Sequence, residues 1–158
     1  MNEKKNVFYS RETFNPKEAR EVGTFFHSVL SEVETPDDLE FAFHKWAVIV
    51  GLDEKKYKDD WLPLLKKALE QPEVQKWYDG TGKVINEYPV KDESGIVSRA
   101  DRVVIKGDNV DIIDYKSGGE SPSYIKQVQE YMTIYSAKGY KNVKGYIWYF
   151  LSGKIVEV

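Results

Sequence analysis

The stretch SRADRVVIKGDNVDIIDYKSG, residues 98–118, carries two acids and a lysine where its apolar alternation calls for Val or Ile. Its two β-branched runs flank Gly107-Asp108, a pair typical of a two-residue hairpin loop. Side chains alternate along a strand, so Asp101 shares the apolar face of the first run, and Asp114 and Lys116 share that of the second. The sequence therefore predicts a hairpin with three ionisable groups near one end of an apolar face.

The register of this hairpin decides which charges meet. A loop of Gly107-Asp108 pairs Asp101 with Asp114, whereas a turn centred on Asp108-Asn109 pairs Asp101 with Lys116. Opposed like charges destabilise a sheet, and half-burying two carboxylates adds to that cost. Compensation comes either from Lys116, as a plain ion pair, or from Mg²⁺ or Mn²⁺, which favour oxygen ligands. The hairpin alone leaves both interpretations open.

A carboxylate beside an ammonium suits phosphodiester hydrolysis when a metal is bound. The metal polarises the phosphate and activates a water, and Lys116 can orient the nucleophile or stabilise developing charge. His27 follows Gly23 by four residues in an apolar helix, where glycine indicates close backbone packing. Its imidazole could bind the metal, although such a histidine is more often a satisfied residue at the core edge. Glu87, in VINEYPV, could hold a second metal or a water, or simply face solvent.

Gln127 and Tyr131 are four residues apart and share one face of a predicted helix. They could contact a nucleic-acid backbone, support the site, or form an ordinary helix edge. Their spacing alone favours the helix edge.

Composition limits the class of protein. The chain has 158 residues, of which 41% are hydrophobic and 31% charged, as in an ordinary globular domain. It has no cysteine, which excludes disulfides, zinc–thiolate sites and cysteine-ligated iron–sulfur clusters. No apolar run approaches the roughly 20 residues of a membrane span, and we expect a cytoplasmic protein. The net charge of −3 means that binding to nucleic acid needs a local patch, a metal or a partner.

The elements that must position these residues follow from periodicity and capping signals. We expect a lead-in segment over residues 1–15 and one domain over residues 16–158. The predicted helices span about 16–34, 35–50, 53–70 and 121–138, with Pro63 bending the third helix or shifting its start. The predicted strands span 84–90, 97–106 and 109–115, followed by a closing hairpin around Ser152-Gly153. This order predicts an α/β fold with an N-terminal helical segment and a central mixed β-sheet flanked by helices.

Four segments, GTFFHSVL, RADRVV, IIDYKSG and YIKQVQEY, together resemble the nuclease domain of the RecB/AddA group in the PD-(D/E)XK superfamily. VINEYPV before the hairpin and GYIWYF near the end are similar to the form found at the C-terminus of UvrD-like helicase–nucleases. Ala100 departs from the family pattern, in which many members have Pro before the first acid. The resemblance covers roughly residues 18–158, and the residues that carry it are, in order, His27, Asp101, Asp114, Lys116, Gln127 and Tyr131.

The resemblance implies a restriction-endonuclease-like fold and a Mg²⁺- or Mn²⁺-dependent deoxyribonuclease of the helicase–nuclease type. It implies an exonuclease acting in DNA end processing and recombinational repair. The implied metal ligands are His27, Asp101, Asp114 and the carbonyl of Tyr115. The implied catalytic residues are Lys116, Asp114, Asp101 and Glu87, and Gln127 and Tyr131 would bind the substrate.

The same resemblance implies a helicase motor as partner and single-stranded or unwound DNA ends as substrate. The chain has no GxxxxGK[ST] motif, so we expect the motor in the same polypeptide or in a separate subunit. Two other classes stay open. One is a catalytically silent nuclease-fold module that binds DNA or scaffolds a helicase. The other is an α/β interaction domain whose hairpin acids only pair with Lys116 and Arg102.

Overall fold

The computed structural model describes residues 16–91 and 97–158, without the side chains of residues 16–19, 54, 56, 57, 87–91 and 97–99. The predicted lead-in, residues 1–15, lies outside the described residues. The elements, in chain order, are α1 (Pro16–Leu30), a 3₁₀ turn (Pro36–Asp38), α2 (Leu39–Val50), α3 (Glu54–Leu69), α4 (Pro72–Gln75), β1 (Lys83–Lys91), β2 (Val97–Lys106), β3 (Asn109–Lys116), α5 (Pro122–Ala137), β4 (Asn142–Tyr149) and β5 (Lys154–Glu157). The predicted α/β order of helices, three strands, helix and two strands is confirmed.

The five strands form one mixed sheet in the order β1-β2-β3-β4-β5. Neighbouring strands are antiparallel except β3 and β4, which are parallel. Parallel neighbours cannot be joined by a tight turn, and α5 provides the crossover between them. The predicted mixed sheet flanked by helices is therefore confirmed.

The hairpin of β2 and β3 has one of the two predicted registers. Lys106 pairs with Asn109, so the loop is Gly107-Asp108. Gly107 has a φ of 62°, a conformation that glycine adopts without steric cost. The same register places position 101 across from position 114, and the alternative turn centred on Asp108-Asn109 is wrong.

The sheet separates two sets of apolar contacts because successive side chains of a strand point to opposite faces. On one face, Val104, Ile113 and Trp148 belong to the core formed with helices α1 to α4. On the other face, Val110 and Ile112 pack in a cluster with residues of α5. The acids of the hairpin share the face of Val110 and Ile112, so α5 is the helix that covers them.

Helix α1 ends at Leu30, four residues before its predicted end at Glu34. Beyond Leu30 the backbone tightens, and the N–H of Val33 bonds to the carbonyl of Leu30 three residues earlier. The carbonyls of Val33 and Glu34 accept hydrogen bonds from the side chain of Arg102. These two carbonyls are therefore hydrogen-bonded to a side chain of β2 instead of to the N–H groups of a longer helix.

The other helices differ from prediction in two short segments. Residues 36–38 form a separate 3₁₀ turn, because the Asp38 carboxylate accepts the N–H groups of Glu34 and Thr35 and closes the chain there. The sequence did not predict the single turn of α4. Pro63 lies inside α3, whose ends are each within one residue of prediction. Within the described ranges, none of the helices combines the length and the apolar character that crossing a membrane requires.

Candidate active site

Asp101 lies where β2 and β3 stop pairing. The last paired positions are Arg102 and Ile113. Beyond them the backbone N–H of Tyr115 donates to Oδ2 of Asp101 at 2.7 Å. A side chain thus replaces a strand partner, and we call the space between the two strands beyond Arg102 and Ile113 the strand gap.

Asp114 contributes the second carboxyl group of the strand gap, and its side chain is only 4% exposed. Lys116 Nζ lies 3.0 Å from Oδ2 of Asp114. Apart from this ammonium, that buried oxygen has no hydrogen-bond donor among the described residues. Burial and the neighbouring Asp101 carboxylate raise the pKa of Asp114 to about 7. A bound cation would therefore favour ionisation of this carboxyl group.

His27 reaches the strand gap from α1. Its Nε2 lies 3.0 Å from the carbonyl of Tyr115, and Nδ1 lies 3.5 Å from Oδ1 of Asp101. A carbonyl only accepts, so Nε2–H is the donor. Burial opposes protonation of the ring, but the Asp101 carboxylate and the Tyr115 carbonyl outweigh it and raise the pKa of His27. Burial likewise disfavours ionised Asp101, but His27 and the other hydrogen bonds outweigh it and lower the pKa of Asp101.

Gly23 allows α1 to come close to the end of β3. A Cβ atom at position 23 would overlap the side chain of Ser117, which directly follows β3. His27, about one helical turn later, then lies beside Tyr115. The prediction that Gly23 marks close backbone packing is confirmed.

Lys116 is held between a carboxylate and an aromatic ring. Its Nζ lies 4.2 Å from the ring centroid of Tyr124 in α5, within cation–π range. Burial opposes the charge on the amine, but Asp114 outweighs this effect and raises the pKa of Lys116. Sequence reasoning missed Tyr124, although its position three residues before Gln127 places the two on one helix face.

A buried network on the other side of the sheet anchors Tyr115. The hydroxyls of Tyr115 and Tyr78 are 2.7 Å apart, and the Arg102 guanidinium stacks 3.7 Å from the Tyr78 ring centroid. Arg102 is fully buried, and three of its acceptors are the carbonyls of Val33, Glu34 and Trp77. The alternative of an interaction domain had the hairpin acids pair with Lys116 and Arg102. Among the described residues, Asp114 pairs with Lys116, and no ion pair joins Arg102 to either acid.

Gln127 and Tyr131 contact each other, as their predicted helix face requires. The Gln127 amide donates to the Tyr131 hydroxyl at 3.0 Å. Tyr131 is buried in the cluster that contains Ala100, the residue before Asp101, while Gln127 is partly exposed. Tyr131 thus lies in the buried packing next to the site, and Gln127 lies nearer to solvent. Their role as substrate-binding residues stays a prediction.

The side chain of Glu87 lies outside the described residues. Its backbone belongs to β1, between Asn86, which pairs with Arg102, and Tyr88, which pairs with Ala100. The register therefore places Glu87 opposite Asp101. Its expected role in holding a second ion or a water stays a prediction.

The donor set of the strand gap fits a divalent cation, although the ligands are not arranged as a finished cage. Among the described residues, no three or more His, Cys, Asp or Glu side chains form a group that could hold a metal as they stand. Adjacent ligands about 2.1 Å from an octahedral ion lie roughly 3.0 Å apart. His27 Nε2 and the Tyr115 carbonyl are 3.0 Å apart as hydrogen-bond donor and acceptor, so loss of the Nε2 proton would leave two ligand atoms at this separation. Together with Oδ2 of Asp114, these two atoms offer the imidazole and oxygen donors that Mn²⁺ or Mg²⁺ accepts.

The sequence is also similar to a known family of proteins. The sequence matches a family model described as the PD-(D/E)XK nuclease superfamily over residues 4–156. The matched range includes His27, both acids of the strand gap and Lys116. A search of curated proteins found no match to the chain.

Proposed function

The chain belongs to the PD-(D/E)XK nuclease superfamily, and we propose that it is a metal-dependent deoxyribonuclease domain. The observation that supports this most is the convergence of two carboxyl groups, an ammonium and an imidazole at the strand gap. Asp114 lies 3.0 Å from Lys116, and Asp101 lies 3.5 Å from His27. These groups come from α1, β2 and β3, and a buried cluster of two acids is costly for a fold that does not use it.

We assign one Mg²⁺ or Mn²⁺ to Asp101, Asp114, His27 and the carbonyl of Tyr115. The bound cation would polarise the scissile phosphate and lower the pKa of a water. Lys116 is protonated, because Asp114 raises its pKa, and it is partly buried. It is therefore suited to donating hydrogen bonds to the attacking water or to the phosphate oxygens as charge develops there.

The remaining predicted site residues are assigned to the edges of the same gap. Glu87 would hold a second ion or a water from β1, opposite Asp101. Gln127, positioned by its hydrogen bond to Tyr131, would contact the DNA backbone.

We further propose that the domain, over residues 16–158, works as an exonuclease with an ATP-driven helicase motor, in the manner of RecB/AddA-type helicase–nucleases. It would process single-stranded or unwound DNA ends in recombinational repair, in the cytoplasm. The order of His27, Asp101, Asp114 and Lys116 supports this assignment. The net charge of −3 also supports it, because a partner that grips DNA would add to the affinity of an acidic domain.

Cleavage of single-stranded DNA in the presence of Mn²⁺ tests the proposal. Asp114→Asn removes one carboxylate from the strand gap, and Asp108→Asn removes one from the exposed hairpin loop as a matched control. We expect the wild type and Asp108→Asn to cleave alike and Asp114→Asn to be slower by at least about a hundredfold. Absence of metal-dependent cleavage by the wild type, or full activity of Asp114→Asn, would show that the proposal is wrong.

A catalytically silent module that binds DNA or scaffolds a helicase is the second candidate. The observation in its favour is that the described residues contain no finished three-ligand group. Calorimetric titration with Mn²⁺ separates the two candidates. Saturable binding that Asp114→Asn abolishes supports the enzyme, and absence of binding supports the silent module.

A further inference from the structure

A groove opens between the start of α5 and strands β4 and β5, on the face of the sheet that α5 covers. It encloses about 280 Å³. Its walls are apolar, and Glu120 lies at its rim. The apolar lining residues are Pro122, Ile125, Ile147, Tyr149 and Val156.

This groove borders the candidate active site through Tyr149, one of its lining residues. Lys116 and Tyr149 are partners in the parallel register of β3 and β4, so their side chains lie next to each other on one face. Tyr124, whose ring lies 4.2 Å from the Lys116 amine, directly precedes Ile125 in α5. A ligand phosphate held by Lys116 therefore has the groove as its immediate neighbour.

The groove combines an exposed apolar wall with a rim that does not repel anions. Ile125 is 40% exposed, and the other large exposed apolar side chains of the described residues lie on α2. The carboxylate of Glu120 is paired with Lys154, which offsets its negative charge. An apolar wall beside the cation of Lys116 suits a ligand that joins a flat apolar face to a phosphodiester.

We propose that this groove binds the nucleobase next to the phosphodiester held at Lys116. This inference rests on the proposed function. The faces of a base within a duplex are covered by stacking, whereas an unpaired base can place one face against Ile125, since Tyr149 is only 6% exposed and forms the floor of the groove. A volume of about 280 Å³ lies just below the roughly 300–1,000 Å³ of pockets for larger ligands, so it suits a single base. Contact with a base face does not depend on base identity, so sequence preference will be weak.

Binding of short single-stranded DNA, followed by fluorescence anisotropy, tests this subsite. Ca²⁺ replaces Mn²⁺ so that the strand stays intact. One set of oligonucleotides carries a single abasic position moved along the strand. Ile125→Gln makes the groove wall polar without adding charge, and Ile49→Gln makes the same change at an exposed position of α2 as control. Thermal unfolding verifies that both variants are folded.

We expect one abasic position and Ile125→Gln each to weaken binding about tenfold, and the two together to weaken it little further. Ile49→Gln should bind as the wild type does, and a matched duplex should bind more weakly than the single strand. Equal effects of the two Gln variants, additive losses, or no binding of the single strand overturn the subsite.

The readout distinguishes the failure of this inference from the failure of the proposed function. A protein that shows the coupled loss of binding but does not cleave DNA in Mn²⁺ keeps the subsite and loses the enzymatic assignment. A protein that cleaves DNA without the coupled loss keeps the enzymatic assignment and loses the subsite.

Discussion

The carboxylate of Asp101 accepts the backbone N–H of Tyr115 at 2.7 Å, beyond the point where β2 and β3 stop pairing. The carbonyl of the same tyrosine accepts His27 Nε2 at 3.0 Å. One residue of β3 thus joins the acid of β2 to the imidazole of α1 through its two backbone groups. Its side chain is anchored on the opposite face by Tyr78. The backbone of Tyr115 therefore links the groups of the strand gap, and its position is fixed because it belongs to β3.

Lys116 should be needed for turnover and dispensable for metal binding. Lys116→Met removes a donor aimed at developing charge, so we expect kcat to fall by about 10²–10³-fold. Binding of Mn²⁺ should persist, because both carboxylates remain. Lys141→Met, at a side chain that is 78% exposed, is the matched control. Steady-state kinetics measures kcat of both variants, and calorimetry measures their binding of Mn²⁺. If Lys116→Met loses activity only because it no longer binds Mn²⁺, the catalytic role of Lys116 is contradicted.

Mn²⁺ should bind more tightly as pH rises. Burial and Asp101 raise the pKa of Asp114 to about 7, and the Asp101 carboxylate also raises the pKa of His27 against the effect of burial. Near neutral pH the metal-free site therefore holds protons that a cation must displace. For each proton displaced, we expect the association constant to rise by up to about tenfold per pH unit between about pH 6 and pH 8. Calorimetry in buffers with different ionisation enthalpies measures the released protons, and a pH-independent affinity contradicts this expectation.

The metal-free protein should lose stability through Asp114 as pH rises. Burial raises the pKa of this carboxyl group from 3.8 to about 7, so between these values the folded state keeps a proton that the unfolded state has released. Its contribution to the free energy of unfolding therefore falls across this range, by at most about 4 kcal/mol. Asp114→Asn lacks this titration. Its free energy of unfolding should therefore increase relative to that of the wild type as pH rises. Urea unfolding of both proteins at several pH values, with chelator present, measures this difference. Parallel pH profiles of the two proteins would contradict the assignment of the titration to Asp114.

The close approach of α1 to β3 should depend on the pair Gly23 and Ser117. Gly23→Ala places a methyl group where the Ser117 side chain lies, and we expect a loss of about 1–3 kcal/mol in the free energy of unfolding. Ser117→Gly removes the overlapping atoms, so the double variant should recover part of that loss beyond additivity. Denaturant unfolding of the four proteins in this cycle measures the coupling. Simple additivity would mean that the two positions are not in contact.

Local rules predicted the hairpin and the apolar face that carries its acids, but left two registers open. A two-residue loop at Gly107-Asp108 sets the register, and strand alternation then places Asp101 and Asp114 across from each other at one end of the apolar face. The same rules predicted the order of elements, including the helix between β3 and β4. These features depend on neighbours in sequence, and periodicity detects them.

The remaining contacts depend on how distant elements pack. His27 meets Tyr115 across 88 positions of the chain, and helical spacing carries no information about that distance. The early end of α1 reflects hydrogen bonds from Arg102, a residue of β2. The contact of Tyr124 with Lys116 likewise depends on the angle at which α5 crosses the sheet. Residue spacing identified His27 only as a possible ligand, the family resemblance implied that it is one, and neither singled out Tyr124.

A crystal soaked in Mn²⁺ and measured at the manganese absorption edge tests the central claim most directly. We predict one anomalous peak in the strand gap, within roughly 2.0–2.6 Å of His27 Nε2, the Tyr115 carbonyl and oxygens of both Asp101 and Asp114. Asp114→Asn soaked in the same way should lose or weaken the peak. An empty strand gap in the wild type, or manganese bound only elsewhere, would contradict the assignment of this chain as a metal-dependent nuclease.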